Sequence, residues 1–267
     1  MVIRVAVVGA SGRLGSVACR VIEQQPDLEL VARLTSRSSL DDMLGADVVL
    51  DVTHPGVSPT VVDHAVRAGL AVVVGTSGWS EDRVRTLRTL LAGREDAAVV
   101  IIPNFSVGSV LATHFATIAA QFYESVEIVE AHHAAKVDSP SGTAVRTAEL
   151  IGHARAELGP VVAPHVDQRA RGQQVASVPI HSLRLQGIVA KQDVHFGGTG
   201  EVLTLSHETL SPAAYEQGIA LAIRAAAQVR GLVVGLDRLI GLGAPGAASG
   251  ASASDSSETT APTDDAA

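Results

Sequence analysis

The densest run of chemically capable side chains is Glu130-Ala131-His132-His133-Ala134-Ala135-Lys136-Val137-Asp138-Ser139-Pro140-Ser141-Gly142-Thr143. Two adjacent imidazoles stand close to a lysine. Histidine exchanges protons near neutral pH. A nearby cation favours the neutral ring and stabilises an anionic substrate. Ser141-Gly142-Thr143 opens a helix, and the free N–H groups at a helix start can hold a carboxylate. The segment reads as an anion-binding, proton-transfer site built on His132, His133 and Lys136, with Ser141, Gly142 and Thr143 as its cradle. Lysine is scarce: of the 20 basic residues only Lys136 and Lys191 are lysines, the rest being arginines. Arg and Lys are not interchangeable, so a retained ammonium carries information. No Cys or carboxylate set at ligand spacing accompanies the two histidines, so no metal is expected. An inert polar loop is the competing reading of the segment.

A second candidate is Gly9-Ala10-Ser11-Gly12-Arg13-Leu14-Gly15. Its G-x-x-G-x-x-G spacing departs from G-x-G-x-x-G, but it closes an apolar strand and opens a helix, the context of a dinucleotide site. Glycines there let the backbone approach a pyrophosphate seated on helix N–H groups. The second strand runs into Thr35-Ser36-Arg37-Ser38, with no acid before Asp41. A missing ribose-binding carboxylate and a nearby Arg suit a 2′-phosphate. NADPH is therefore expected to be used at least as well as NADH, with Arg37 and Arg13 near the phosphate; a solvated polar turn is the plain alternative. Gly75-Thr76-Ser77-Gly78-Trp79 and Ile102-Pro103-Asn104-Phe105-Ser106 follow two later strands and are expected to wall the nicotinamide side. Asp51-Val52-Thr53-His54-Pro55 is a third strand end, equally readable as a turn. Cys19 falls in a short amphipathic helix and reads as core rather than nucleophile.

These segments need a frame. Val2 to Val8 is a nearly unbroken apolar run, as in a strand buried on both faces. Strands are expected at Leu28 to Leu34, Val48 to Val52, Ala71 to Val74 and Ala97 to Ile102. Helices are expected at Leu14 to Gln25, Ser58 to Ala68 and Ser80 to Ala92, with Ser80 as an N-cap. That alternation predicts a doubly wound parallel sheet. After Pro103 the pattern changes. Helices over Val107 to Tyr123 and Gly142 to Leu158 flank a strand at Val126 to Ala131. A loop is expected from Pro160 to Ala176. Strands over Ile180 to Leu185, Ile188 to Phe196 and Val202 to His207, joined by short turns at Gln186-Gly187 and Gly197 to Gly200, read as antiparallel neighbours. A helix from Pro212 to Val229 closes the pattern. The expected fold is α/β: a Rossmann-type doubly wound parallel sheet (1–106 and 212–240), plus an α+β substrate and oligomerisation domain with a mixed, largely antiparallel sheet (107–211). Residues 241–267 are poor in large apolar groups and read as a disordered tail.

Composition narrows the functional classes. The formal net charge of −8 disfavours a phosphate-neutralising groove, and aromatics at 3% offer no base-stacking platform, so nucleic acid is not an expected partner. Four of the 28 acids lie in the tail, so the remainder carries 24 acids against 20 bases. One cysteine excludes an intramolecular disulfide. No apolar run approaches a membrane span, and the N-terminus lacks a signal layout, so a soluble cytoplasmic protein is expected. Composition leaves open a two-domain Rossmann oxidoreductase and a non-catalytic nicotinamide-binding regulator.

Glu130 to Ala144 is close to the E-x-H-H-x-x-K-x-D-A-P-S-G-T-A signature of the 4-hydroxy-tetrahydrodipicolinate (dihydrodipicolinate) reductases, and the chain resembles that family over nearly all but its tail. Gly9 to Gly15, Gly75 to Trp79 and Pro103 to Ser106 match its cofactor segments. Ser139 replaces the usual Ala, Trp79 a Phe, and the acid near Thr35 is missing. The resemblance implies that His132 donates and accepts the proton, with Lys136 as its partner donor. It also implies that His133, Gly142 and Thr143 bind a substrate carboxylate. The implied reaction removes water from the hydroxylated dicarboxylate and adds hydride at ring carbon 4 and a proton beside it. A homotetramer built through the second sheet, with hinges near Val107 and Ser211, is likewise implied.

Overall fold

The computed structural model describes residues 1–94 and 96–242. The expected tail lies, apart from residues 241 and 242, outside the described residues.

Six strands form one parallel sheet: β1 (Ile3–Val8), β2 (Leu28–Leu34), β3 (Val48–Asp51), β4 (Ala71–Val74), β5 (Ala98–Ile101) and β11 (Gly231–Val234). Their order is β11-β5-β4-β3-β1-β2, so the winding reverses between β1 and β3. Ligands of open α/β sheets bind at such a switch, beyond the carboxyl ends of the strands. The apolar strand sequences follow from burial on both faces. Val5, Val7, Val48, Leu50 and Val73 pack under α1 (Arg13–Gln24) and α6 (Glu216–Ala226). Their alternates Ala6, Val8, Val49, Val72 and Val74 pack under α2 (Ser58–Arg67) and α3 (Glu81–Leu91). Ser80 caps α3 as expected, its hydroxyl accepting from the Arg83 N–H.

The second sheet has the order β10-β9-β6-β8-β7. It comprises β6 (Ser125–His133), β7 (Gln173–Val175), β8 (Val178–Leu185), β9 (Ala190–Gly198) and β10 (Glu201–Thr209). One face packs on α4 (Val107–Ala119) and α5 (Gly142–Ala154) through Ala116, Ile128, Ala148, Ile151, Ile180 and Phe196. On the other face Leu183, Leu185 and Val202 remain exposed.

The sheet is mixed, as expected, but its adjacency differs. β8 and β9 are not neighbours: β6 lies between them, parallel to β8 and antiparallel to β9. The link from Leu185 to Ala190 is long enough to step across two strand spacings of about 4.8 Å each. The Thr199-Gly200 turn does join a true hairpin, β9 with β10. Both long helices also stop early. Arg155, the residue after α5, is buried and donates to the carbonyls of Ala120 and Tyr123, so it holds the chain just past α4 where an extra turn would run. The expected helix from Pro212 begins as a single 3-10 turn, Pro212–Tyr215, capped by Ser211, before α6. β7, β11 and the short α7 (Leu236–Leu239) are additions to the expected elements.

Candidate active site

A cleft of about 460 Å³ lies between the carboxyl edge of the parallel sheet and the strand ends of the mixed sheet. From the first side come Arg13, Leu14, Gly75, Pro103, Asn104 and Phe105; from the second come His132, His133, Lys136, Ser141 and Thr143. The two segments singled out in the sequence therefore meet in one cavity.

Each side chain is held for a local reason. Glu130 follows Val126 and Ile128 on the inward face of β6 and is fully buried. A buried carboxylate needs partners. Arg184 of β8 supplies a two-pronged pair, at 2.9 Å to Oε2 and 2.8 Å to Oε1. The Ser141 N–H donates to Oε1 at 3.2 Å. His132 Nδ1 lies 2.6 Å from Oε2. Since an ionised carboxylate only accepts, Nδ1 carries the hydrogen and Nε2 is the ring atom left for chemistry. Burial is the main force holding the His132 pKa below its ordinary value; Glu130 opposes the shift, and Lys136 and Arg184 add to it. Burial tends to raise the Glu130 pKa, but its bonds from Arg184, Ser182 and His132 leave it below the usual range.

The turn from His133 to Lys136 is closed by the Lys136 N–H donating to the His133 carbonyl at 3.0 Å. Lys136 Nζ rests on Asp138 Oδ1 at 2.7 Å. Ser141 caps α5, its hydroxyl accepting from the Ala144 N–H at 3.2 Å. The Gly142 and Thr143 N–H groups precede the first in-helix acceptor and have no partner among the described residues. Gly142 itself does not line the cleft.

At the glycine turn, packing accounts for two of the three glycines. A Cβ on Gly15 would come 2.1 Å from the Gly9 carbonyl oxygen, and one on Gly9 would come 2.5 Å from that of Val52. Gly12 would meet only the Gly9 oxygen at 3.2 Å and otherwise faces open space. The amides of Ser11, Arg13 and Leu14 have no acceptor among the described residues, so the start of α1 is a donor set of the kind a pyrophosphate takes. Gly75 is required by the Phe105 ring, whose Cε2 would lie 2.5 Å from an added Cβ. The residues present thus fit a dinucleotide.

Other expected cofactor residues sit outside the cleft lining. Ala10 and Ile102 are buried, and the Thr76 hydroxyl accepts from the Thr53 N–H at 2.8 Å. Gly9, Ser11, Gly12 and Ser77 lie along the same strand edge. Thr35, Ser36 and Arg37 form a tight exposed turn, with the Thr35 N–H donating to the Ser38 hydroxyl at 3.1 Å. The guanidinium groups of Arg13 and Arg37 are unpaired among the described residues. Asp51 accepts from Thr53 and Ser58 and is internally satisfied, which favours the turn reading of that strand end. Cys19 is buried, and burial pushes its thiol pKa up.

The sequence reading assigned no role to Glu130, Arg184, Gln192 or His207. For Glu130 a signal was present: a charged residue stands where the alternation of Val126 and Ile128 calls for an apolar one. Gln192 carries the same signal beside Val194, whereas Arg184 and His207 are brought in by strand register, which the sequence does not carry.

Comparison with known proteins decides the family. Residues 3–105 match the family model described as dihydrodipicolinate reductase, N-terminus, and residues 108–240 match its C-terminal counterpart. The chain belongs to the dihydrodipicolinate reductase family. It is 63% identical over 242 residues to 4-hydroxy-tetrahydrodipicolinate reductase of Clavibacter michiganensis, covering 91% of this chain and 87% of the relative. The Streptomyces griseus enzyme of the same name is 44% identical over 246 residues, covering 90% and 98%. A dipicolinate-bound dihydrodipicolinate reductase from Paenisporosarcina superposes with a TM-score of 0.77 at 29% identity, over 89% of this chain and 99% of that one. An amine dehydrogenase from Mycobacterium smegmatis, at 11% identity and a TM-score of 0.60, shares the fold alone. Membership in the dihydrodipicolinate reductase family makes the chain an NAD(P)H-dependent oxidoreductase with a dinucleotide-binding N-terminal half. Among the described residues no helix is long and apolar enough to cross a membrane, and no three metal-type side chains cluster.

Proposed function

We propose that the cleft is where 4-hydroxy-tetrahydrodipicolinate is reduced to tetrahydrodipicolinate with loss of water, in lysine and diaminopimelate synthesis. The observation that carries this reading is the charge of the cleft: Arg13, Lys136, Lys191 and three histidines line it, and no carboxylate does. A dicarboxylate fits such a lining in a chain that is acidic overall, because local donors rather than net charge make a site. Reduced nicotinamide supplies the hydride to ring carbon 4. The residues do the rest. Gly9, Ala10, Ser11, Gly12, Arg13 and Leu14 hold the pyrophosphate, and Arg37 joins Arg13 at a 2′-phosphate. Thr35 and Ser36 flank the ribose, while Gly75, Thr76, Ser77, Ile102, Pro103, Asn104 and Phe105 form the wall behind the nicotinamide. His133, Ser141, Gly142 and Thr143 bind one carboxylate. His132 delivers a proton from Nε2 to the carbon beside the hydride acceptor, while Glu130 holds Nδ1–H and steadies the imidazolium. Lys136 is the partner proton donor.

Residues 1–106 and 212–240 form the cofactor domain in this reading, and 107–211 the substrate domain, with hinges near Val107 and Ser211 that bring nicotinamide to substrate. The pairing of β11 with β5 supports returning the C-terminal segment to the first domain. The uncovered face of the mixed sheet supports a homotetramer assembled through it. The cytoplasm is the compartment that fits.

The test is a coupled assay: the preceding synthase, aspartate semialdehyde and pyruvate generate substrate, and loss of reduced nicotinamide is followed. His132→Ala and Lys136→Ala are expected to lower turnover strongly with little change in cofactor affinity. His133→Ala is expected mainly to raise the substrate KM. Equal turnover of wild type and His132→Ala refutes the proton role.

A further inference from the structure

The inward face of the mixed sheet carries a polar row where a core is due. Register sets Ser182 of β8 opposite Glu130 of β6, Glu130 opposite Gln192 of β9, and Gln192 opposite His207 of β10. The next row on that face, Ile180, Ile128, Val194 and Leu205, is wholly apolar. Polar groups in such a place cost free energy unless they are hydrogen-bonded. Glu130 has Arg184 and His132. Gln192 donates to the Thr147 hydroxyl at 3.1 Å. His207, at the end of the row, reaches out of its own sheet: its Nε2 lies 3.2 Å from the hydroxyl of Ser106.

Ser106 belongs to the cofactor side. Its hydroxyl accepts from the Ser109 N–H at 3.2 Å as the cap of α4, so its own proton is free to go to a neutral imidazole. Burial favours that neutral ring. The Ser106 N–H donates to Asn104 Oδ1 at 2.9 Å, and Asn104 Nδ2 donates to the Ser109 hydroxyl at 3.0 Å. Asn104, Ser109, Gln192 and His207 all line the cleft. The imidazole is also seated against the first turn of α4, where a Cβ on Gly108 would lie 2.9 Å from Cδ2 and 3.0 Å from Nε2. Among the described residues, His207 to Ser106 is the one side-chain hydrogen bond joining the mixed sheet to any residue before Val107 or after Ser211.

We propose that His207 is a positioning residue for hydride transfer, fixing the Asn104–Ser106 segment on the cofactor side at a set distance from the sheet that carries His132. This rests on the reading of the cleft as the reductase site. It adds that the spacing between the two halves is set by a hydrogen bond and not by packing alone.

The experiment uses the full chain and C4-deuterated reduced nicotinamide. A misplacement of about 1 Å costs about 10²-fold in rate, so His207→Ala is expected to lower kcat by about ten- to a hundredfold. Substrate and cofactor KM stay near wild type, and the primary deuterium isotope effect rises as hydride transfer becomes more limiting. His207→Gln, whose amide can still bond to Ser106, is expected to recover most of kcat. Ser106→Ala, which keeps the ring and removes its partner, is expected to reproduce the isotope effect of His207→Ala even if the latter folds poorly. Unchanged kcat and isotope effect in His207→Ala and Ser106→Ala overturn the proposal. So does equal loss in His207→Ala and His207→Gln, which would show that restoring a hydrogen-bonding group of similar size does not restore the rate. An inactive wild type would instead overturn the reductase reading itself.

Discussion

Replacing Glu130 by Gln tests the proton-donor assignment at the point where the structure makes it most specific. Gln keeps the shape but removes the charge that faces His132 Nδ1 at 2.6 Å. Glu130 is fully buried, so water does not screen the pair. A hydrogen bond to a charged group is worth about 1.5–3 kcal/mol. At about 1.4 kcal/mol per unit, its loss lowers the imidazolium pKa by about one to two units. The direction adds to what burial already does, since the His132 pKa lies below 6.5 with Glu130 resisting the shift. Arg184 stays in place, because it also donates to the carbonyls of Leu183 and Asp138, and its unneutralised charge pushes the same way. The protonated donor therefore becomes about ten- to a hundredfold scarcer on the basic side of the profile. The assay is kcat/KM against pH, which reports groups of the free enzyme. The basic limb is expected to move to lower pH by about one to two units, with activity recovering toward wild type as the pH falls. An unmoved limb, or a loss of the same size at every pH in a folded variant, refutes the assignment and leaves Glu130 with a structural part only. Thermal unfolding separates these outcomes from collapse, because breaking a buried pair can cost about 3–5 kcal/mol.

Three further outcomes follow from the same geometry. Gly15→Ala forces a Cβ to within 2.1 Å of the Gly9 oxygen, so α1 must shift; a loss of about 1–3 kcal/mol and a Tm several degrees lower are expected by calorimetry. Arg13→Ala with Arg37→Ala is expected to raise KM for NADPH well above any change for NADH in steady-state kinetics, and an equal change for both sinks the 2′-phosphate contact. His132 and His207 both have folded pKa values below 6.5, so the unfolded chain binds more protons as the pH falls through that value. Stability is therefore full above about pH 7 and declines below about 6.5, and a Tm that rises on acidification in that window contradicts the burial of these rings.

The parts of this fold that were legible in the sequence are those set by local rules. β1, β3, β4 and β5 read clearly because strands buried on both faces are written as nearly unbroken apolar runs, while the edge strand β2 (Leu28–Leu34) keeps apolar residues around its two charged positions, Glu29 and Arg33. The start of α1, the Ser80 cap and the Gly200 turn carry their own chemistry. β11 was missed because Gly231–Val234 is a short run after a helix and packs at the sheet edge, where burial is only partial. β7 was missed because Gln173–Val175 is polar and brief. The insertion of β6 between β8 and β9 could not be read, since nothing local distinguishes a link that pairs its strands from one that steps over a third.

The same limit governs the site. His132, His133, Lys136 and Thr143 are close in sequence, so their shared chemistry can be seen along the chain. Arg184 enters because register sets it opposite His132, the next inward position after Glu130, and His207 because register sets it opposite Gln192; register belongs to the sheet and not to any one strand. What the sequence does carry is the anomaly that such a line creates: Glu130 and Gln192 occupy inward positions that alternation assigns to the core, next to Ile128 and Val194. A buried polar residue out of pattern implies a partner that is elsewhere in the chain. Buried among apolar neighbours, Glu130 requires donors and Gln192 a hydrogen-bond partner; Arg184 supplies the first and Thr147 accepts from the Gln192 amide. The carboxylate that neutralises Arg184 lies behind the cleft wall while Lys136 and Arg13 face into it. That arrangement gives an acidic chain a cationic cavity, which is what the proposed dicarboxylate substrate needs.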